Sequence, residues 1–470
     1  MIILKLALRT LARRKGRMAL IGSLVAFGTF LVVFGTIFAT SAERASKASI
    51  IGNFTGDFVV YSERAKDLPS PFAFNTPLPR IKDVKAVEAA LAAMPEVASY
   101  APYAQNFGVI QAERGGKKID LPFIFYAVEP GAYLSVFGPQ DAFKTPFFGL
   151  AVDGKGEARK GVMISVHQEE AYLKNYGVSL TAGEPVTLLG ITEGGVNTKR
   201  STLVGIFHPA HFTSVFDYIN YMDAETYSAL YDYTGVSALP ASFDRGLAAA
   251  GDDESAIFGL ASDPGLGTLD VTSLKSETLS GATVIAVRLK DHGAVDRVMA
   301  RLSGTEGLGV KTARWDKASG FYAQIAASLQ AFIYLATALV FLVVALIFMN
   351  TLIINVSERT AEIGTMRAIG TEKSFVRAMF LAEALALNVA SAGISMGFAG
   401  AALLAVGGRG IQLPEIVSQF LIGGGPLPIH ATVAPFIGAL AVVVLVSVLA
   451  TLYPVRIATS ITPVKAMADR

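Results

Sequence analysis

Residues 357–370 read Ser-Glu-Arg-Thr-Ala-Glu-Ile-Gly-Thr-Met-Arg-Ala-Ile-Gly and decide how the chain is organised. This stretch lies between two apolar runs, residues 326–355 and 375–405. Each run is longer than the roughly 20 residues that a helix needs to cross a bilayer. The stretch between them carries too many charges to lie in lipid, so we expect it at the membrane surface.

The spacing of its side chains predicts a short amphipathic helix. Glu358 and Glu362 are four residues apart, and Ile363, Met366 and Ile369 follow at intervals of three. Residues three or four positions apart share one face of a helix. Two functions fit this pattern: a segment that passes force from a soluble partner to the membrane helices, or an ordinary charged connection between two spans.

The composition indicates a membrane protein. The chain is 52% hydrophobic and 17% charged, whereas soluble domains are about 45–50% apolar and about 25% charged. The apolar residues are concentrated in four runs. The net charge of +2 gives no indication of nucleic-acid binding. The chain has no cysteine, and its five histidines lack metal-ligand spacing, so we expect no disulfide and no metal site.

Basic residues predict the orientation in the membrane. Residues 1–17 contain six basic residues and no acidic one, with leucines on one helical face, which predicts an amphipathic helix on an anionic leaflet. The apolar run 18–40 is longer than the roughly 7–15 residues of a signal-peptide core, so we expect an uncleaved span. Further basic residues in 356–374 and 454–470 place both termini and this link in the cytoplasm.

The predicted fold is a membrane protein with four transmembrane helices and a large extracytoplasmic α+β domain inserted between spans 1 and 2. Within that domain, short alternating segments such as 57–62 and 282–289 predict strands, and 83–94 and 291–302 predict helices with acidic starts. Glycine, serine and aspartate at 246–274 predict a mobile loop. The predicted segments are a cytoplasmic amphipathic helix (1–17), span 1 (18–40), the extracytoplasmic domain (41–325), span 2 (326–355), a cytoplasmic coupling helix (356–374), span 3 (375–405), an extracytoplasmic link (406–434), span 4 (435–453) and a cytoplasmic tail (454–470).

The sequence provides no catalytic constellation. Neither Gly154-Lys155-Gly156 nor Glu372-Lys373-Ser374 fits a phosphate-binding loop, which needs Gly-Lys directly before Ser or Thr. The acidic runs at 252–254 and 169–170 are typical of solvated surface. His208 and His211 have no third ligand at a suitable spacing, and we assign them no role. We therefore expect no enzymatic activity, no cofactor and no metal in this chain.

Two features of the predicted third span concern helix packing and charge. Gly393 and Gly397 form a G-x-x-x-G pattern, which allows close approach between membrane helices and predicts either packing or dimerisation. Glu383 lies near the start of the same span, where a carboxylate is costly unless it is paired. Two interpretations remain open for Glu383: an interfacial residue paired with Arg377 or Arg367, or part of a force-transmitting junction.

Several stretches resemble the permeases of the MacB/FtsX/Lol group of ABC systems. The pattern E-R-x-x-E-I-G-x-x-R-A-x-G at 358–370, followed by Glu-Ala-Leu at 383–385, is similar to the signature of that group. The basic start at 6–15 and the ending Pro-Val-Arg-Ile-Ala at 454–458 are similar to its N-terminal helix and its tail. The likeness extends over essentially the whole chain and is most specific at 357–385.

The resemblance implies a non-catalytic subunit that works with other chains. Its partners would be a separate ABC ATPase that uses ATP and a second permease, identical or paralogous. The extracytoplasmic domain would consist of one subdomain made from 43–135 and 278–325, with 136–277 inserted. The residues that would face the ATPase are Glu358, Arg359, Glu362, Ile363, Met366 and Arg367.

Three functions compete at this point. The first is a permease in the bacterial inner membrane that extracts or exports lipoproteins or other amphipathic substrates on the outer side. The second is an FtsX-like signalling subunit that controls a cell-wall hydrolase, although such relatives usually have a shorter outer domain. The third is a membrane-anchored enzyme or adhesin, which leaves the cytoplasmic helix without a purpose. The first is favoured over the other two for these reasons, and within it the lipoprotein-handling branch is favoured because this sequence has no phosphate-binding loop of a fused ATPase.

Overall fold

This computed structural model describes residues 15–70, 78–138, 146–150, 156–192, 195–208, 219–237, 275–414 and 425–460, and the isolated positions 255, 259, 417, 418 and 422. Most of the predicted helix 1–17, almost all of the loop predicted at 246–274, the tail after 460, the acidic run 252–254 and His211 lie outside the described residues. The chain divides into two compact units. We call residues 48–323 the sheet unit and residues 1–47 with 324–470 the helical unit.

The elements follow each other in this order. The helices are α1 (Lys15–Ile50), α2 (Val84–Ala92), α3 (Pro130–Phe137), α4 (Val166–Tyr176), α5 (Ala224–Leu230), α6 (Val295–Ser303), α7 (Trp315–Ala318), α8 (Phe321–Glu358), α9 (Thr360–Ala368), α10 (Lys373–Gly407) and α11 (Ala434–Ser460). The strands are β1 (Phe58–Ser62), β2 (Val97–Arg114), β3 (Lys117–Val128), β4 (Val162–Ser165), β5 (Pro185–Thr192), β6 (Gly195–Phe207), β7 (Ile219–Asp223), β8 (Thr234–Ser237), β9 (Lys275–Thr278), β10 (Val284–Leu289) and β11 (Val310–Arg314).

Three helical segments of the described chain are long and apolar enough to cross a membrane. They are Gly22–Thr55, Lys373–Gly407 and Ala434–Arg456. The span predicted at 326–355 falls within the continuous helix α8, whose apolar segment Ala331–Ile347 is shorter. Length and composition therefore support three of the four predicted spans in the part of the chain that the structure describes.

In the helical unit, α1, α10 and α11 pack together through small and branched apolar side chains. One contact layer contains Val25, Ala392 and Val443. A hydrogen bond adds to this packing, because the Asn388 side-chain amide donates to Ser447 Oγ at 2.7 Å. Hydrogen bonds between polar side chains hold membrane helices together, since the hydrocarbon offers no water as an alternative partner.

The link predicted at 406–434 packs onto α1 in its described part. Ile411 and Leu427 form an isolated antiparallel bridge, and Leu427 is fully buried against Ala42. The backbone N–H of His430 donates to Ser41 Oγ at 3.1 Å. These contacts fix the connection between α10 and α11 to one end of α1.

One half of the sheet unit is a split β-α-β arrangement. Its four strands lie in the order β11-β1-β10-β2 and all pair antiparallel. Helices α2 and α6 cover one face and form a core with the strands. Asp83 caps α2 by accepting from the N–H of Ala86 at 2.9 Å, as its acidic start predicted. The strands and helices predicted at 57–62, 282–289, 83–94 and 291–302 are confirmed within a few residues at each end.

The other half is a strongly curved sheet that closes on itself. From β2 the order continues β3-β7-β4-β6-β5, and β5 pairs back onto β2. A second core fills this closed sheet. Buried Asn220 connects three of its strands, because its amide donates to the carbonyl of Ile124 and its side-chain oxygen accepts from the N–H of Ser165. A buried polar group that is satisfied in this way fixes the position of the strands it joins.

The second core begins earlier in the chain than the subdomain boundary predicted at 136. Ala104, Ile110 and Phe125 belong to this core, although they lie in β2 and β3. The first half of β2 pairs with β10 and the second half pairs with β5. The two subdomains therefore share β2, and the inserted part starts near its middle.

The sheet unit begins with a tight turn after α1 and the π-helical residues Ile51–Thr55. Gly56 has φ +62° and ψ −159°, and a Cβ there would lie 2.4 Å from the carbonyl oxygen of Val287. The next residue, Asp57, is buried, and its carboxylate accepts from the N–H of Leu289 at 2.8 Å and lies 2.5 Å from His292 Nδ1. This turn holds the start of β1 against β10.

We expect Gly56→Ala to destabilise the sheet unit by at least about 2 kcal/mol, because the conformation is accessible almost only to glycine and the methyl group collides with backbone. Trp315 is the sole tryptophan and lies in this unit, so its fluorescence during guanidinium unfolding of the full chain reports the change. Gly52→Ala is the control, because a Cβ at Gly52 meets no atom within 4 Å. Equal unfolding midpoints for both variants would contradict the expectation.

Candidate functional site

Residues 356–374, the predicted coupling segment, form a corner between two long helices. Helix α8 ends at Glu358, α9 begins at Thr360, and α10 begins at Lys373. Gly370 has φ +99° and makes the turn between α9 and α10 possible. A helix is present within the segment predicted as the coupling helix (356–374), but it is only α9, because the chain breaks at Arg359: Glu358 belongs to α8, and Ile369 follows the last residue of α9.

Arg359 lies at the centre of this corner, between α8 and α9. Its Nη1 donates to Glu383 Oε2 of α10 at 2.9 Å, and its Nε donates to Glu362 Oε2 of α9 at 3.2 Å. The guanidinium carbon lies 5.6 Å from the ring centroid of Phe380. The side chains of Arg359 and Glu383 are only 10% and 5% exposed, so this ion pair is buried. One arginine thus connects all three helices of the corner.

An apolar cluster surrounds the ion pair. Val356 of α8, Ile363 of α9, and Val376 and Phe380 of α10 are almost completely buried against each other. Such a dry environment strengthens the attraction between Arg359 and Glu383, and it equally raises the cost of leaving either charge alone. The corner is therefore a packed unit rather than a loose loop.

The outer surface of the corner combines charge with an exposed apolar side chain. Glu362 is 64% exposed, and Ile369, at the end of α9, is 81% exposed. A surface depression of about 480 Å³ lies at the start of α10, which follows Ile369 in the chain. Its lining residues are Thr371, Glu372, Ser374, Phe375 and Ala378. A large apolar side chain that is exposed in this way is suited to contact another protein.

The structure separates the six residues that the resemblance assigned to ATPase contact. Glu358 and Glu362 lie on the surface, whereas Met366 and Arg367 are half-buried. Arg359 and Ile363 lie in the interior of the corner, so their side chains are not accessible to another protein in this conformation. The spacing rule placed Ile369 on the same apolar face as Ile363 and so missed its exposure.

Glu383 and the two predicted packing glycines have different environments. Arg359 lies within hydrogen-bond distance of Glu383, a pairing that the sequence did not indicate. Gly393 and Gly397 are exposed, and a Cβ at either position meets no atom within 4 Å. They therefore make no close helix contact with the described part of this chain. The close approach occurs at Gly22 of α1 instead, where a Cβ would lie 2.9 Å from an oxygen of α10.

The comparison with family models identifies this region. Residues 334–463 match the family described as FtsX-like permease C-terminal, and this range contains α9, Arg359 and Glu383. The predicted resemblance to FtsX-like ABC permeases is thereby confirmed for this range. The matched range also places the corner and the packed helices α10 and α11 in one domain.

Two relatives and one solved structure give further matches. The pyoverdine export ATP-binding/permease protein PvdT of Pseudomonas putida is 31% identical over 121 residues, which is 26% of this chain and 16% of that protein. The uncharacterized ABC transporter permease YknZ of Bacillus subtilis is 34% identical over 82 residues, which is 17% of this chain and 20% of that protein. The alignments thus span less than two thirds of either relative. The periplasmic region of MacB from Actinobacillus actinomycetemcomitans aligns with 57% of this chain and 92% of its own, with a TM-score of 0.28 and 12% identity.

We expect Glu383→Ala to destabilise the helical unit by about 3–5 kcal/mol, because it leaves the buried guanidinium of Arg359 without its closest carboxylate. Unfolding in mixed micelles with increasing sodium dodecyl sulfate measures the change. Glu362→Ala removes the exposed partner of the same arginine and should cost less than about 1 kcal/mol.

A double variant, Arg359→Met with Glu383→Leu, separates charge from packing. It should recover most of the loss, because it removes both charges together. If Glu383→Ala is as mild as Glu362→Ala, the buried pair does not hold the corner.

Proposed function

Because residues 334–463 carry an FtsX-like permease C-terminal domain, we propose that this chain is the permease subunit of an ABC-type mechanotransmission complex. A separate ATPase hydrolyses ATP, and its movement passes through α9 to the helices of the membrane. The sheet unit lies on the extracytoplasmic side and acts there on lipoproteins or other amphipathic molecules. A second permease, identical or paralogous, completes the complex in the inner membrane.

The observation that carries this proposal is the buried connection of α9 to both neighbouring helices. Arg359 and the apolar cluster around it fix α9 against α8 and α10. A force applied to α9 therefore moves α10 as well, because rotating α9 alone would break a buried ion pair. The alternative left open by the sequence, an ordinary connecting turn anchored by charges, fits the same ion pair, so recovery of an ATPase with the chain is what distinguishes the two.

The exposed side chains of the corner suggest where the ATPase would bind. Ile369 and Glu362 lie outside the packed cluster and are exposed, and the depression at Thr371 to Ala378 belongs to the same corner. We propose that Ile369 contacts an apolar site of the ATPase, with Glu362 contributing charge at the edge. Well-packed apolar anchors inside a polar rim supply most of the binding energy in protein interfaces.

Purification of the chain from bacterial membranes in mild detergent tests the complex itself. We expect a stoichiometric protein with a phosphate-binding loop to accompany it, and acylated proteins to be enriched by mass spectrometry. A chain that comes out without an ATPase contradicts the permease proposal. A cell-wall hydrolase in place of acylated proteins would contradict the substrate class and favour the signalling alternative.

A matched pair of variants tests the contact surface. Ile369→Glu should reduce the amount of co-purified ATPase at least about tenfold, as expected for an anchor worth more than 1.4 kcal/mol. Val433→Glu is the control, because Val433 is also exposed and apolar but precedes α11, far along the chain from the corner. Equal ATPase recovery in both variants would show that Ile369 is not part of the contact.

A further inference from the structure

A cleft of about 480 Å³ opens on the sheet unit where its two apolar cores meet. Val84 belongs to the first core, whereas Ala104, Ala127 and Tyr227 belong to the second, and all four line the cleft. Its volume falls within the roughly 300–1,000 Å³ typical of small-ligand pockets, which occur preferentially between domains. The position and size of the cleft therefore match those of a binding site.

Carboxylates dominate the charge of this cleft. Its lining includes Glu88 of α2, Glu129 directly before α3 and Glu225 of α5, together with one lysine, Lys85. Glu225 is engaged by Lys160, whose Nζ lies 2.6 Å from Glu225 Oε2. Glu88 and Glu129 therefore provide most of the charge available to a ligand.

The environment of Glu88 favours a positive partner. Burial raises the pKa of Glu88, the nearby charge of Glu129 raises the same pKa further, and Lys85 lowers it. A cation close to both carboxylates reduces their mutual repulsion and replaces hydration that burial has removed. A bound anion would instead add to the repulsion between the two carboxylates, so this arrangement favours a cation over an anion.

The deeper wall is aromatic and uncharged. Tyr103 and Tyr227 are almost completely buried, and burial raises the pKa of both phenols well above the usual value, so they stay protonated. A Cβ at Gly281 would lie 2.6 Å from the rings of Tyr227 and Tyr233. The glycine therefore leaves these rings undisturbed at the edge of the cleft.

We propose that this cleft binds a small organic cation with an apolar body. The amine or guanidine group is held by Glu88 and Glu129, and the body lies against Tyr103, Tyr227 and the aliphatic wall. The role of the cleft in holding a transported molecule rests on the permease function proposed above. Binding itself needs no ATPase and can be measured on this chain alone.

The test uses the full chain in lipid nanodiscs, with empty nanodiscs subtracted. Fluorescence anisotropy is measured with rhodamine 6G, a permanent cation with an apolar body, and with the uncharged dye Nile red. Glu88→Gln with Glu129→Gln should weaken rhodamine 6G binding roughly tenfold, since a half-buried and an exposed charge each contribute a few-fold in affinity. Nile red binding should not change between the variants.

Two further variants separate recognition from folding. Glu63→Gln with Glu113→Gln removes two exposed carboxylates outside the cleft and should leave rhodamine 6G binding unchanged. Ser280→Trp keeps both cleft carboxylates but fills the cleft from an exposed position, and it should also abolish rhodamine 6G binding.

Two results would overturn the proposal. One is equal rhodamine 6G affinity in the wild type, the cleft carboxylate variant and Ser280→Trp. The other is an equal loss of Nile red and rhodamine 6G binding in the carboxylate variant, because charge would then play no part. Absence of a co-purified ATPase would remove the permease function but would not alter either dye measurement.

Discussion

A guanidinium taken out of water must be paired, and Arg359 meets this requirement with the carboxylate of Glu383 at 2.9 Å. The pair joins positions 24 residues apart in the chain and so determines how α10 returns beside α8. Ile363 and Phe380 then pack around it and exclude solvent. Without its partner, either charge would be unpaired in an apolar environment, and without the apolar side chains, solvent would reach the pair. Together they turn a charged sequence between two apolar runs into a rigid corner.

In the sheet unit the corresponding constraint is the length of β2. A strand of 18 residues is longer than a single layer of a small domain requires, and sheets twist along their length. The first half of β2 therefore faces the core under α2 and α6, while its second half faces the core of the closed sheet. The cleft lies where β2 passes from one core to the other, so it is a consequence of sharing one strand between two cores.

Local pattern predicted much of this structure, because its physical causes are local. The apolar runs, the helix after Asp83 and the amphipathic helix α9 follow from periodicity and capping. The pairing of Glu383 with Arg359 was not predicted because Arg367 and Arg377 are nearer in the sequence, and no pattern encodes how a chain folds back. The exposure of Ile369 and the sharing of β2 between two subdomains were not predicted for the same reason, because both depend on tertiary packing. The cleft carboxylates have no sequence signature, because Glu88, Glu129 and their wall come from five separate segments.

The contrast between Gly22 and the pair Gly393 and Gly397 shows what a small-residue motif does and does not establish. All three are glycines in helices with apolar character, yet only Gly22 has a close neighbour in the described chain. The face of α10 around Gly393 also exposes Ile394 and Phe398. In a membrane, apolar side chains such as these are stabilised as well by lipid tails as by another helix. Packing against a second helix therefore stabilises the pair only where the two backbones approach closely. Gly22 makes this close approach to α10, whereas a Cβ at Gly393 or Gly397 would meet no atom of the described chain within 4 Å, so the same small residue type packs on one helix and stays exposed on the other.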